Sequence, residues 1–379
     1  MPEFWIPYGN LEVPLYIKSE QFGQSIDINL ENYVENNYQK QISKTIVDNN
    51  TLIVLDKLNN SSKKILQLLI NNNPKNRIFN IGITNKKYKN EIKNAFNQVN
   101  INVLAINNEV EHFGTIDKYD IKLSSHFKKF TNNILISEIG FDPLFGFSGG
   151  STNIVKMFSD LAKHAFLIRE NNIPKPGSDN NINRFAEQIG ELLDNFSSIE
   201  IFEHENNIKK LFTGNLNQTH NAAKGFLSDI GNKAIEYPIN NIILSPGNNQ
   251  DRTLNSSINS LFNILHGIEI NSKITLVAQC ENGLGSRAWD LYATGRLNIQ
   301  KLIKNNNYVE GLESIIYFEE IRKNNKISLV STLPNYYIEN ILKVNSRKTV
   351  TEAVNSFVNS QKKIYLLKNS DHIIIKKSV

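Results

Sequence analysis

The chain has 379 residues, enough for two domains that each bury a core. Hydrophobic residues make up 40% and charged residues 21%, the proportions of an ordinary globular protein, and the formal charge is only +5. Basic residues are scattered among acids with no basic block interleaved with aromatics, which speaks against a nucleic-acid surface. No run approaches about 18 uninterrupted apolar residues, so no membrane span is expected.

The opening MPEFWIPYG has neither a basic start nor a long apolar stretch, so it does not read as a secretory signal, and a cytoplasmic location is expected. Residues 4–18 predict two short strands around the turn Tyr8-Gly9-Asn10. Strands are then predicted over 52–55, 77–83, 101–106 and 133–138, with helices over 61–70, 89–99 and 153–164. Such alternation argues for βαβ units and a parallel sheet covered by helices on both faces. In such sheets ligands sit beyond the carboxyl ends of the strands, where Asp56 and the glycine-rich segment 146–150 both fall.

That segment, Gly146-Phe147-Ser148-Gly149-Gly150, lies between a predicted strand and a predicted helix. Adjacent glycines before a helix let backbone N–H groups approach an anion, and the helix N-terminus adds positive potential. Gly146, Ser148, Gly149, Gly150, Ser151 and Thr152 are therefore candidates for seating a phosphate or carboxylate, with Asp56 beside them as a further ligand-binding candidate.

A long loop over 170–183, rich in Asn and carrying two prolines and a glycine, precedes a helix over 184–196 and a strand over 199–203. A second alternating series begins near Lys233: strands over 241–244, 273–280, 327–330 and 364–367, helices over 254–265 and 351–358. The first of these strands ends in Ser245-Pro246-Gly247-Asn248-Asn249 and the second in Glu281-Asn282-Gly283-Leu284-Gly285. The expected fold class is α/β: two α/β domains with mainly parallel sheets and a cleft between them. The domains are placed at 1–232 and 233–379, with residues 372–377 a candidate edge strand returning to the first. Cys280 is the sole cysteine, which excludes an intrachain disulfide and a multi-cysteine zinc site; in its apolar run it reads as a small core residue. A His-Glu-x-x-His pattern, a Walker loop and a spaced G-x-G-x-x-G do not occur, and no metal site is predicted.

The run ILISEIGFDPLFGFSGG, residues 134–150, resembles the signature of the nickel-dependent lactate racemase family. Weaker matches follow that family's order: IPYG (6–9), LIVLDKLNNS (52–61), IFNIGITNKK (78–87), LFTGNLNQTHNAAKGF (211–226) and LVAQCENGLGS (276–286). The resemblance implies two α/β domains joined by a hinge, with the active site in the cleft. It also implies a nickel pincer nucleotide tethered to a lysine just after the double glycine and a histidine completing the nickel coordination. Two further histidines then act as acid and base on a 2-hydroxy acid.

Residue by residue the chain departs from that pattern. Ser151-Thr152 stand where the family has Arg-Lys, and the nearest lysine, Lys156, comes a helical turn later. Thr84-Asn85-Lys86 fill the place of the first base histidine. The second aligns near Asp142, a candidate general base that also reads as a turn residue before Pro143. The nickel histidine falls near 166–169, where His164 is the closest substitute and equally a packed or surface histidine. From the family's Asp-His-Thr-Arg-Pro motif Asp56 is kept and the arginine is not; Lys57 offers charge without the guanidinium fork.

The expectation is a retained scaffold with the racemase machinery largely missing and no nickel pincer nucleotide. Two functions stay open. One is an isomerase or related enzyme on a 2-hydroxy-acid-like or sugar-acid-like substrate, with Asp142 or His164 moving a proton. The other is a non-catalytic protein that closes on a small anionic metabolite or a nucleotide.

Overall fold

The computed structural model describes residues 3–30, 37–74, 77–169, 175–236, 239–247, 250–357 and 362–377. Of the predicted features, 170–174 of the long loop, Asn248-Asn249 and the final residue of the helix over 351–358 lie outside them.

An antiparallel hairpin, β1 (Glu3–Tyr8) and β2 (Leu11–Tyr16), opens the chain and β3 (Phe22–Ile26) follows. The first wound unit runs through α1 (Tyr38–Ile42), β4 (Thr51–Leu55), α2 (Asn60–Asn71), β5 (Phe79–Ile83), α3 (Tyr88–Ala95) and β6 (Ile101–Ala105). A hairpin of β7 (Val110–Ile116) and β8 (Tyr119–Ser124) and the short α4 (His126–Lys129) lead to β9 (Asn132–Glu138). Then come β10 (Gly140–Asp142), β11 (Gly146–Ser148), α5 (Gly150–Met157), α6 (Ser159–Ile168), α7 (Asn181–Glu191), β12 (Phe196–His204), β13 (Asn207–Asn215) and α8 (Leu216–Gly231).

The second unit contains β14 (Asn232–Ile235), β15 (Ile239–Leu244), α9 (Leu254–Asn263), β16 (Ile268–Val277), α10 (Arg287–Ala293), α11 (Ile299–Lys304) and α12 (Leu312–Asn324). It ends with β17 (Lys326–Val330), β18 (Asn345–Arg347), α13 (Val350–Asn355), β19 (Ile364–Leu367) and β20 (Ile374–Lys377).

Two six-stranded sheets carry the two lobes, in the orders β13-β12-β9-β4-β5-β6 and β18-β17-β16-β15-β19-β3. The first is parallel except for β13, which runs antiparallel to β12; the second is parallel throughout. Strands β4 and β5 are buried at every position, as expected for a parallel sheet covered on both faces. The mixed α/β class with mainly parallel sheets is therefore the observed one.

The chain's opening belongs with the second sheet. β3 pairs with β19, and Ile6, Leu15 and Ile17 pack with Ile243, Val277 and Leu366 of that lobe. A cut at residue 232 thus separates β3 from the sheet it completes. β20 pairs with β14 in a separate parallel ribbon rather than joining the first sheet. The predicted helix over 153–164 is two helices, because Phe158 takes extended dihedrals (φ −118°, ψ 116°) between α5 and α6.

Candidate functional site

The parallel strands β4, β9 and β12 deliver side chains to one edge of the first sheet. Asp56 follows β4, Ser137 and Glu138 close β9, and Glu203 lies near the end of β12. The start of α2 is stitched to this edge. Asn59 caps the helix through a capping box with Ser62 and also donates to Glu138 Oε1, while the Ser61 hydroxyl donates to Glu203 Oε2. A small crevice of about 10 Å³, room for roughly one water, is lined by Asp56, Lys57, Ser137 and Glu138.

Burial pushes the Asp56 carboxyl above its ordinary range, against the pull of Lys57 and Lys156. Glu203 is raised by burial and then by the charge of Glu138. For Lys57, burial favours the neutral amine, but the carboxylates of Asp56 and Glu138 outweigh it and the ammonium is held more firmly than usual.

The glycine segment turns out to be half of a hairpin. β10 and β11 pair antiparallel, with Asp142 opposite Gly146. Asp142 is buried and holds the turn: its Oδ1 accepts the amides of Leu144 at 2.9 Å and Phe145 at 2.8 Å. Its Oδ2 pairs with the ammonium of Lys156, which reaches back from α5. Both oxygens of the expected base are thus committed, as the turn reading of Asp142 requires.

Gly149 and Gly150 take φ values of 117° and 45°, and space around them is as restrictive as their dihedrals. A Cβ on Gly149 would lie 2.5 Å from Glu200 Oε2, and one on Gly150 would lie 2.8 Å from His220. Glu200 and His220 form a fully buried pair, Oε2 to Nδ1 at 3.0 Å. The anion nearest the start of α5 is therefore an internal carboxylate. The turn's amides are also engaged: Gly149 N–H donates to Asn153 Oδ1 at 3.0 Å and Gly150 N–H to Ser137 Oγ at 3.3 Å. Ser151 and Thr152 are buried, and the Thr152 hydroxyl donates to Gly149 O at 2.6 Å. Ser148 remains half-buried at the end of β11. The structure brings Asp56, Gly149 and Asn153 together, since Asn153 Nδ2 donates to Asp56 Oδ2 at 2.7 Å.

His164 is not brought to this edge. Its ring lies 4.5 Å from Tyr119 of β8, and the charges around it are Asp160, Lys163 and Asp120. Burial holds its imidazolium below the ordinary range.

Residues of the second lobe face the site from α12 and the segment before it, and the sequence did not single them out. Tyr308 packs at a tilt of 39° against Phe166 of α6 with ring centres 5.2 Å apart and donates its hydroxyl to Glu313 Oε2 at 3.1 Å. Glu313, in the first turn of α12, lies within electrostatic reach of Asp142 and Lys156. Burial, followed by the charge of Asp142, pushes its carboxyl up to about 7 against Lys156, Tyr308 and its own backbone amide.

The residues present do not fit the nickel pincer nucleotide. Position 152 carries a buried hydroxyl bonded to the backbone instead of an amine, and the Lys156 ammonium is paired with Asp142. Among the described residues no three His, Cys, Asp or Glu side chains are grouped to hold a metal ion. No helix among them is long and apolar enough to cross a membrane.

Compared with solved structures, the chain matches the lactate racemase apoprotein from Thermoanaerobacterium thermosaccharolyticum with a TM-score of 0.73 and 16% identity, over 99% of this chain and 100% of that one. It also matches a structural-genomics protein from Thermotoga maritima with a TM-score of 0.66 and 11% identity, over 91% of this chain and 98% of that one. No family profile matches the sequence, and no curated protein sequence does. The chain thus has the lactate racemase fold along its whole length.

Proposed function

We propose that the chain is a divergent member of the lactate racemase superfamily: an isomerase or related enzyme that binds a 2-hydroxy-acid-like or sugar-acid-like substrate between its two lobes, without the nickel pincer nucleotide. What supports this reading is a lactate racemase fold over 99% of the chain with Asp56, Lys57 and Glu138 lining a crevice at its strand ends, and Lys156 within electrostatic reach of both Asp56 and Glu313 of the second lobe. Fold alone does not transmit chemistry, so the reading stands on these groups. Lysine ammoniums attract the carboxylate of a hydroxy acid, and a carboxyl that titrates near neutrality suits proton transfer.

The test is chiral analysis of the purified protein incubated with single enantiomers of lactate, glycerate and related sugar acids, with metal content measured on the same sample. Appearance of the opposite configuration, or of deuterium at the reacting carbon in heavy water, supports the enzyme reading. Its absence across the panel removes it.

A second reading is favoured by the internal commitments of Asp142 and Asp56 to Lys156, backbone amides and Asn153. On that reading the same site binds a small metabolite without turning it over, and ligands raise the unfolding temperature with no change in their configuration.

A further inference from the structure

The hairpin that opens the chain has two faces of opposite character. Across its ladder Glu3 lies opposite Tyr16, Trp5 opposite Pro14 and Pro7 opposite Glu12, and the alternation of strands puts these six side chains on one face. The other face carries Ile6 and Leu15, both fully buried against the second lobe. The first face stays in solvent, with Trp5 48% exposed and Tyr16 45%. Scattered exposed apolar side chains are common on any protein surface; a Trp and a Tyr set diagonally on one flat face with a proline between them are not. Trp and Tyr are also the side chains enriched where proteins meet.

We propose that this outward face is a docking surface for another protein, which presents an extended segment with proline at its centre and a basic side chain at each end. Docking there is independent of what the lobes bind between them.

The platform is already in place before a partner arrives. An isolated two-stranded hairpin is marginal in water, but this one is fastened at its turn and along its inner face. Gly9 N–H donates to Asp251 Oδ2, Ser245 Oγ donates to Pro7 O at 2.7 Å, and Phe4 packs on Phe22 with ring centres 4.7 Å apart. Binding to a surface held in this way orders little of the chain.

Charge selects the partner. The six outward positions carry two carboxylates and no base. Glu3 stands at one end, its Oε1 accepting the Tyr16 hydroxyl at 3.0 Å, and Glu12 stands at the other. A second copy laid on this face about a two-fold axis brings only further carboxylates, and nucleic acid or an anionic lipid surface is repelled in the same way. A cationic segment is attracted.

Backbone pairing is obstructed, so side chains must do the recognising. β1 and β2 form a sheet of two strands, and each contains a proline, Pro7 and Pro14, which has no N–H to offer an incoming strand. A polyproline II segment needs no such pairing, and its rings pack on exposed aromatic plates. The two carboxylate ends of the face lie four residues apart along β1, about 13 Å. Basic side chains four positions apart in a polyproline II segment are separated by about 12 Å. The segment that fits is therefore basic-Pro-x-Pro-basic in pattern.

The test titrates the full chain with the end-capped peptide Gly-Arg-Pro-Ala-Pro-Arg-Gly and follows the indole N–H resonances. The chain has two tryptophans, and Trp289 is fully buried, so it serves as an internal control. The Trp5 resonance is expected to move and that of Trp289 to stay. Binding should weaken about tenfold or more in Trp5→Ala and in the double variant Glu3→Gln with Glu12→Gln, and should fall as salt is raised. Glu12→Lys, at an exposed position, should abolish binding in a protein that unfolds at the wild-type temperature. A Trp5 resonance that stays still up to millimolar peptide rules the docking surface out. Equal binding of a peptide with glutamate in place of both arginines overturns the role of charge. Equal binding of one with alanine in place of both prolines overturns the polyproline class. Dimerisation of the protein alone that Trp5→Ala abolishes assigns the face to a second copy and overturns the foreign partner.

Discussion

Asn153 donates its side-chain amide to Asp56 Oδ2 at 2.7 Å, and this bond joins the helix behind the double glycine to the end of β4. The other end of the same amide accepts Gly149 N–H at 3.0 Å. One buried residue therefore holds in place both the turn and a carboxylate that lies 97 residues before it in sequence.

Replacing Asn153 with Ala removes both bonds at once. Gly149 N–H is left buried without a partner and Asp56 loses a donor, a change expected to cost about 1–3 kcal/mol. Asn153→Asp keeps an acceptor for Gly149 but sets a second carboxylate against Asp56, so it should be the less stable of the two at neutral pH and recover on acidification. Urea unfolding at two pH values measures both. A loss in Asn153→Ala within about 0.5 kcal/mol of wild type would show that the bridge carries no weight.

Gly149→Ala and Gly225→Ala should move stability in opposite directions. At Gly149 the backbone φ of 117° strains any L residue, and the added methyl meets Glu200 Oε2 at 2.5 Å. Strain of about 1–3 kcal/mol and a similar overpacking cost are expected there. Gly225 sits in α8 with nothing within 4 Å of a Cβ, so alanine should stabilise by roughly 0.5–1 kcal/mol. Thermal unfolding of the pair decides the matter, and equal effects would refute the steric account of the double glycine.

This contrast marks how far sequence could reach. Strands β4, β5, β9 and β15 were legible because buried parallel strands read as continuous apolar runs bounded by turn residues. The conformational demand at 149–150 was legible as well, since adjacent glycines signal positive φ. What they make room for was not, because Glu200 and His220 come from distant elements and nothing local marks their approach. β3 was hidden for the same reason: its partner β19 lies over 330 residues further along the chain. Glu313 carries no motif, and its only sequence mark is that of an ordinary acid in the first turn of a helix. Its distinction is the burial and the Asp142 charge that assembly of the lobes supplies.

Cys280 is 2% exposed, and burial pushes its thiol up to about 11. Thiolate, the reactive form, is then scarce at pH 8. The native protein should resist a thiol reagent that labels the urea-unfolded chain stoichiometrically, and labelling should follow the population of unfolded protein. Rapid reaction of the folded chain would mean that the thiol is accessible after all.

Stability against pH should reveal two opposed groups. Burial lowers His372 from 6.5 to about 3, so between those values the unfolded chain binds a proton that the native one refuses, and stability is lost as pH falls. Glu313 rises from 4.5 to about 7, so in that window the native chain keeps a proton that the unfolded one releases, and stability is lost as pH rises. The windows overlap between 4.5 and 6.5, where the slopes cancel in part, each being at most about 1.4 kcal/mol per pH unit. Glu313→Gln deletes one slope and should leave stability climbing with pH up to 6.5, with its gain over wild type largest above pH 7. His372→Leu deletes the other and should leave stability declining across the same interval. Other buried acids and histidines titrate alongside, so the informative quantity is each variant's difference from wild type at every pH. A Glu313→Gln difference that stays constant from 4.5 to 7 would show that the carboxyl holds no extra proton in the folded chain.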